Sequence, residues 1–145
     1  MQNYYWDEGV LRWRESGALP PQKQFINSPY DPEARFRKKR STMWTGYTVH
    51  LTEVCDDGSP HLITYVATTP ASTTDDAMTE IIHRDLQQDD LLPADHLLDS
   101  GYITAHLLAT SQQMFGVKLI GPGKVNAQWQ ANTPEGIDNS QFQID

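Results

Sequence analysis

The stretch TGYTVHLTEVC, residues 45–55, constrains the fold most. Tyr47, Val49 and Leu51 alternate with Thr48, His50 and Thr52, the period-2 pattern of a half-buried strand. DDGSP, residues 56–60, is a turn, and HLITYVATT behind it supplies a second strand rich in β-branched residues. So short a connection predicts an antiparallel hairpin.

Beyond the hairpin the period changes. PASTTDDAMTEIIHRDLQQ offers Thr and Asp as N-cap candidates, then Met78, Ile81, Ile82 and Leu86 at helical spacing. LLPADHLLD is a short apolar run that ends at Asp99. ITAHLLATSQQMF predicts an amphipathic helix through Ile103, Leu107, Leu108 and Met114, stopped by Gly116. VKLIGP is a short strand closed by Gly121 and Pro122. The order strand, strand, helix, strand, helix, strand predicts an α/β domain with a mixed sheet and flanking helices. FQID at the end of the chain resembles the start of a further strand, and Trp129 is the one large anchor of a polar tail. The organisation expected is an aromatic and basic segment at 1–43, the core at 44–123 and the tail at 124–145.

Charge is divided unevenly. The chain of 145 residues has a net charge of −8, which argues against a general nucleic-acid coat. Residues 1–40 nevertheless hold eight of the eleven basic residues, five of them in the segment RFRKKR: Arg35, Arg37, Lys38, Lys39 and Arg40. Such a run is either a solvated loop or a phosphate-contacting patch. The single Cys55 excludes an internal disulfide and a thiolate zinc site. No apolar run reaches the roughly 20 residues of a membrane helix. With no signal-peptide pattern at MQNYYWDEGVLRWRESG, a cytoplasmic protein with no membrane partner is expected.

Asp99 has two readings from its surroundings. It shapes the turn or caps the next helix, or it is a ligand at the carboxyl end of a strand, where functional groups of open α/β sheets gather. Asp31, in SPYDPEARF, first reads as a turn residue. Asp56 and Asp57 lie in the hairpin turn and Asp75 and Asp76 at a helix start. His50 and His61 could face each other across the hairpin, and no pair of histidines has the H-x-x-x-H zinc spacing. Ser100 lacks a G-x-S-x-G frame and GPGK at 121–124 is too short for a phosphate loop.

Three segments in order are more specific than any one of them. These are Asp31-Pro32-Glu33-Ala34-Arg35, Gly46-Tyr47-Thr48-Val49-His50 and Asp99-Ser100-Gly101-Tyr102. Together with QNYYW and WQA they make nearly the whole chain resemble the DDE transposases of bacterial insertion sequences. The resemblance implies a ribonuclease H-like fold and metal-dependent DNA strand cleavage and transfer. It also implies DNA element ends as partner, room for a homo-oligomer, and Mg2+ or Mn2+ held by two aspartates and a glutamate. Two ions about 3.5–4 Å apart can stabilise the entering and leaving oxygens of an in-line displacement together. Carried over, Asp99 matches the second aspartate and metal ligand, with Ser100 replacing the commoner alanine. Asp31 is the candidate for the first aspartate, and Arg35, Arg37, Lys38, Lys39 and Arg40 for DNA contact. The glutamate has no counterpart, since Glu135 sits in the loop TPEGID. That gap predicts an internal piece of a transposase catalytic domain, inactive alone. The alternatives are a non-catalytic DNA- or protein-binding module of the same fold and an unrelated small α/β enzyme.

Overall fold

The structure is a computed structural model that describes residues 2–21, 24–58, 60–123 and 133. The chain divides into two compact units, Met1–Leu92 and Pro93–Asp145. Their elements make a mixed α/β protein with antiparallel and parallel sheets and two α-helices among the described residues. The calls for Trp129, Glu135, Lys124 and the FQID strand lie outside the described residues.

The first unit opens with a hairpin of β1 (Tyr4–Asp7) and β2 (Val10–Trp13). Glu8 and Gly9 close it, both at positive φ (47° and 81°), as a two-residue turn matched to strand twist requires. Tyr4 meets Trp13 edge to face at 4.7 Å between ring centroids, a contact that fixes the pairing side by side. A 3₁₀ turn at Ser16–Ala18 follows.

The main sheet is an antiparallel meander of β3 (Arg35–Lys39), β4 (Thr42–Glu53) and β5 (Ile63–Pro70). The β4–β5 hairpin is the one expected, with Val49 opposite Thr68 and His50 opposite Ala67. β3 is additional: RFRKK forms a strand although four of its five residues are cationic and no hydrophobic alternation marks it. Pairing with β4 supplies the missing reason, because Arg37 and Lys39 on one side reach acidic partners described below.

Burial along β4 runs opposite to the usual pattern. Thr48, His50 and Thr52 point to the covered face, whereas Tyr47, Val49 and Leu51 are exposed. α1 (Asp76–Gln88) explains the covered face, since it lies against β5 and is tied there by Tyr65, whose hydroxyl donates to Asp85 Oδ2 at 2.7 Å. Burial first, then that hydrogen bond, pushes the Tyr65 phenol up to about 12. The helix buries Met78, Thr79, Ile82, His83 and Leu86, so Ile81 falls off the expected stripe and is exposed.

In the second unit β6 (Asp95–Leu97) pairs in parallel with β7 (Lys118–Ile120), and α2 (Ala105–Phe115) makes the crossover. Parallel pairing demands such a long connection. Thr104 caps α2 by accepting from Leu107 N at 3.2 Å. Gly116, at φ 70°, ends it as an αL cap, with Gly116 N on Gln112 O, and Val117 N follows onto Ser111 O. Ile103 and Leu107 are buried as expected, while Leu108 and Met114 face solvent.

Candidate functional site

The loop after β6 is held from both sides. Leu98 N donates to Ile120 O at 2.8 Å, prolonging the parallel pairing one residue past the strand. A Cβ at Gly121 would stand 2.1 Å from Leu98 O and 2.6 Å from Ile103 Cδ1, so only glycine admits this approach. Asp99 comes next, at the carboxyl end of the parallel pair and exposed to solvent. Its Oδ1 accepts from Gly101 N at 2.6 Å, and its carbonyl accepts from Tyr102 N at 3.2 Å. The carboxylate therefore shapes its own turn and leaves the capping of α2 to Thr104. Oδ2 accepts no hydrogen bond from the described residues, so one oxygen still faces water.

Asp31 belongs to the first unit and has a different environment. Its Oδ1 accepts from Glu33 N at 3.0 Å and Ala34 N at 3.2 Å. The Tyr47 hydroxyl reaches both carboxylate oxygens, at 3.0 and 2.8 Å. These bonds clamp the D-P-E-A-R turn onto β4. The Tyr47 hydrogen bond holds the Asp31 carboxyl below its ordinary value, and the same bond raises the Tyr47 phenol. Asp31 is thus held by its own turn and by the tyrosine of the G-Y-T-V-H segment.

Alternation along β3 splits the basic segment. Arg37 donates to Ala71 O at 3.4 Å, Thr73 O at 3.1 Å and Asp75 Oδ1 at 3.2 Å, and lies over the Trp44 ring at 5.9 Å. Lys39 reaches the other oxygen of Asp75 at 3.5 Å. Arg35 donates to the carbonyls of Pro32 and Ala34 and lines a shallow cavity of about 240 Å3 with Ser72, Thr73 and Thr74. Lys38 and Arg40 face solvent and make no ion pair within the described residues. Of the five basic residues, these two keep their charges directed outward.

The Asp75 position carries an additional surprise. It occupies the N-cap of α1, yet its side chain makes no capping bond because Arg37 and Lys39 hold the carboxylate. Close by, His50 Nε2 lies 3.1 Å from Thr69 Oγ1, and burial lowers the imidazole below its ordinary value. His50 and His61 do not face each other: His50 pairs with Ala67, and the His61 ring bonds the Val54 carbonyl at 3.0 Å. Sequence reading missed this polar group beneath α1. Its signal was the R-x-K alternation followed by a threonine- and histidine-bearing face on β4.

Among the described residues no three His, Cys, Asp or Glu side chains gather to hold a metal ion. Two adjacent divalent ions need several oxygen ligands between them, so Asp99 by itself does not fit a two-ion centre. No described helix is long and apolar enough to cross a membrane. Comparison with protein-family models, with curated proteins and with solved structures yields no match.

Proposed function

We propose that this chain is a fragment of the catalytic domain of a DDE transposase, with a ribonuclease H-like core. The intact parent would cut DNA and join element ends with divalent metal ions. The observation that carries the reading is Asp99 at the carboxyl end of β6, on a loop packed against Gly121 and paired through Leu98. The element order supports it as well, a three-stranded antiparallel meander followed by helix, strand, helix and parallel strand. The three ordered motifs of the sequence add the family. Because the described carboxylate set does not fit two ions, the chain alone is expected to be inactive in strand transfer.

The test is to titrate Mn2+ into the isotope-labelled 145-residue chain and follow paramagnetic broadening of the amide signals. Broadening centred on Ser100, Gly101 and Tyr102, and lost in Asp99→Asn, is expected. Broadening centred on Asp56 and Asp57, with Ser100–Tyr102 unaffected, would remove Asp99 from the reading. The second reading is a non-catalytic DNA-binding module, favoured by the outward charges of Lys38 and Arg40. It requires salt-dependent DNA binding that weakens when both are changed to alanine, without any metal response at Asp99.

A further inference from the structure

Two of the three motif segments meet at one pair of side chains. Asp31 belongs to D-P-E-A-R and Tyr47 to G-Y-T-V-H, and the Tyr47 hydroxyl donates across the gap to Asp31 Oδ2 at 2.8 Å. The family resemblance offers this carboxylate to a divalent ion, but its bonds give it another task. Oδ1 accepts from Glu33 N at 3.0 Å and Ala34 N at 3.2 Å, the reach of an aspartate that shapes its own turn. The Asp31 carbonyl accepts from the same Ala34 N at 3.3 Å, which tightens the chain around the buried Ala34. A two-ion centre needs further oxygen ligands around each carboxylate, and among the described residues no such group surrounds Asp31.

What the pair holds in place is the start of β3. Arg35 follows Ala34 directly and stands opposite Gly46, the neighbour of Tyr47. Gly46 O accepts from Ala71 N at 3.0 Å, which joins the segment after β5 to the same point. Strand alternation sends Arg35 to the α1 side with Arg37 and Lys39, opposite to the side of Tyr47. There Arg35 donates to the Pro32 and Ala34 carbonyls and lines the cavity with Ser72, Thr73 and Thr74. Both carbonyls belong to the turn that Asp31 and Tyr47 close. The guanidinium therefore rests on a turn fixed from the other face of the sheet.

We infer that Asp31 is a positioning residue and not a metal ligand: with Tyr47 it latches the D-P-E-A-R turn to β4 and so sets Arg35 at the cavity. The latch explains why the two segments occur together, since neither side chain closes it alone. It also differs chemically from a ligand. Asparagine presents the same Oδ1 to backbone N–H groups and to a hydroxyl, but lacks the charge that draws a divalent ion. The reading of Asp99 is untouched, because Asp99 lies in the other unit and its response is read at other amides.

The test compares Asp31→Ala, Asp31→Asn and Tyr47→Phe in the isotope-labelled 145-residue chain. Amide exchange at Ala34 should be roughly tenfold faster in Asp31→Ala and close to the parent rate in Asp31→Asn. The Arg35 Nε–H resonance should shift in Asp31→Ala and, in the same direction, in Tyr47→Phe. Adding Tyr47→Phe to Asp31→Ala should shift it no further, because the two act through each other. Mn2+ should produce no broadening centred on the amides of Asp31, Glu33 and Ala34. An Asp31→Asn chain that behaves like Asp31→Ala overturns the latch, as does an Arg35 resonance that ignores both variants. Mn2+ broadening centred on Asp31 and Ala34, and abolished by Asp31→Asn, returns the carboxylate to the metal set. Broadening at Ser100–Tyr102 bears on Asp99 only. Should Asp31→Ala fail to fold, Tyr47→Phe on the open face decides through the Arg35 resonance.

Discussion

Arg37 is the residue whose loss separates a structural task from a DNA-binding one. Its guanidinium spans from β3 to the segment before α1, with two carbonyls and the Asp75 carboxylate as acceptors. The side chains of Arg37 and Asp75 are 18% and 14% exposed, so neither ion recovers full hydration when the other is removed. Hydrogen bonds to charged groups contribute about 1.5–3 kcal/mol, and breaking a fully buried pair costs about 3–5 kcal/mol. Lys39 keeps one oxygen of Asp75 company at 3.5 Å, and the pair retains some water, which lowers the expectation. Arg37→Ala should therefore destabilise the first unit by about 2–3 kcal/mol. Urea unfolding followed by circular dichroism would measure it, with the midpoint falling and the m value unchanged. Asp75→Ala alone and the double variant complete the cycle, and a coupling of about 1 kcal/mol or more is expected. Lys38→Ala, on the same strand but facing solvent, should change stability by less than about 0.5 kcal/mol. A loss below about 1 kcal/mol for Arg37→Ala would refute the reasoning and return Arg37 to the set of outward-facing cations.

Two further outcomes follow from the same sheet. Because burial lowers the His50 imidazole, the unfolded chain binds its proton more readily than the folded one. Stability should be full above about pH 6.5 and fall as pH drops below that value, by up to about 1.4 kcal/mol per pH unit for the one proton. Denaturant melts at pH 7.5 and 5.5 would register this, and His50→Gln should flatten the difference; an unchanged difference would assign it to another group. Tyr47→Phe removes the donor shared by both oxygens of Asp31 and should loosen the D-P-E-A-R turn from β4. In the same variant the Asp31 carboxyl, followed by carbon NMR, should titrate at higher pH than in the parent, and an unmoved titration would deny the clamp.

Local signals in the sequence determined the elements from Tyr47 onward. Strand alternation, the DDGSP turn, the acids ahead of Met78 and the glycine at 116 act through backbone and neighbouring side chains, so they are legible without the fold. The position of Asp99 at a strand end was legible for the same reason, and its carboxylate proved to bond Gly101 two residues on. The β3 strand was not legible, because a run of cations becomes a strand only when β4 and Asp75 lie alongside it. Nor could alternation tell which face of β4 would be covered. Period 2 separates two faces but does not say which one meets a helix. That choice fell to contacts across the sheet, chiefly Tyr65 with Asp85 and Arg37 with Asp75, which fasten α1 over the threonine and histidine side. The sequence thus settled what is near in the chain, and tertiary packing decided which surfaces close and which stay open.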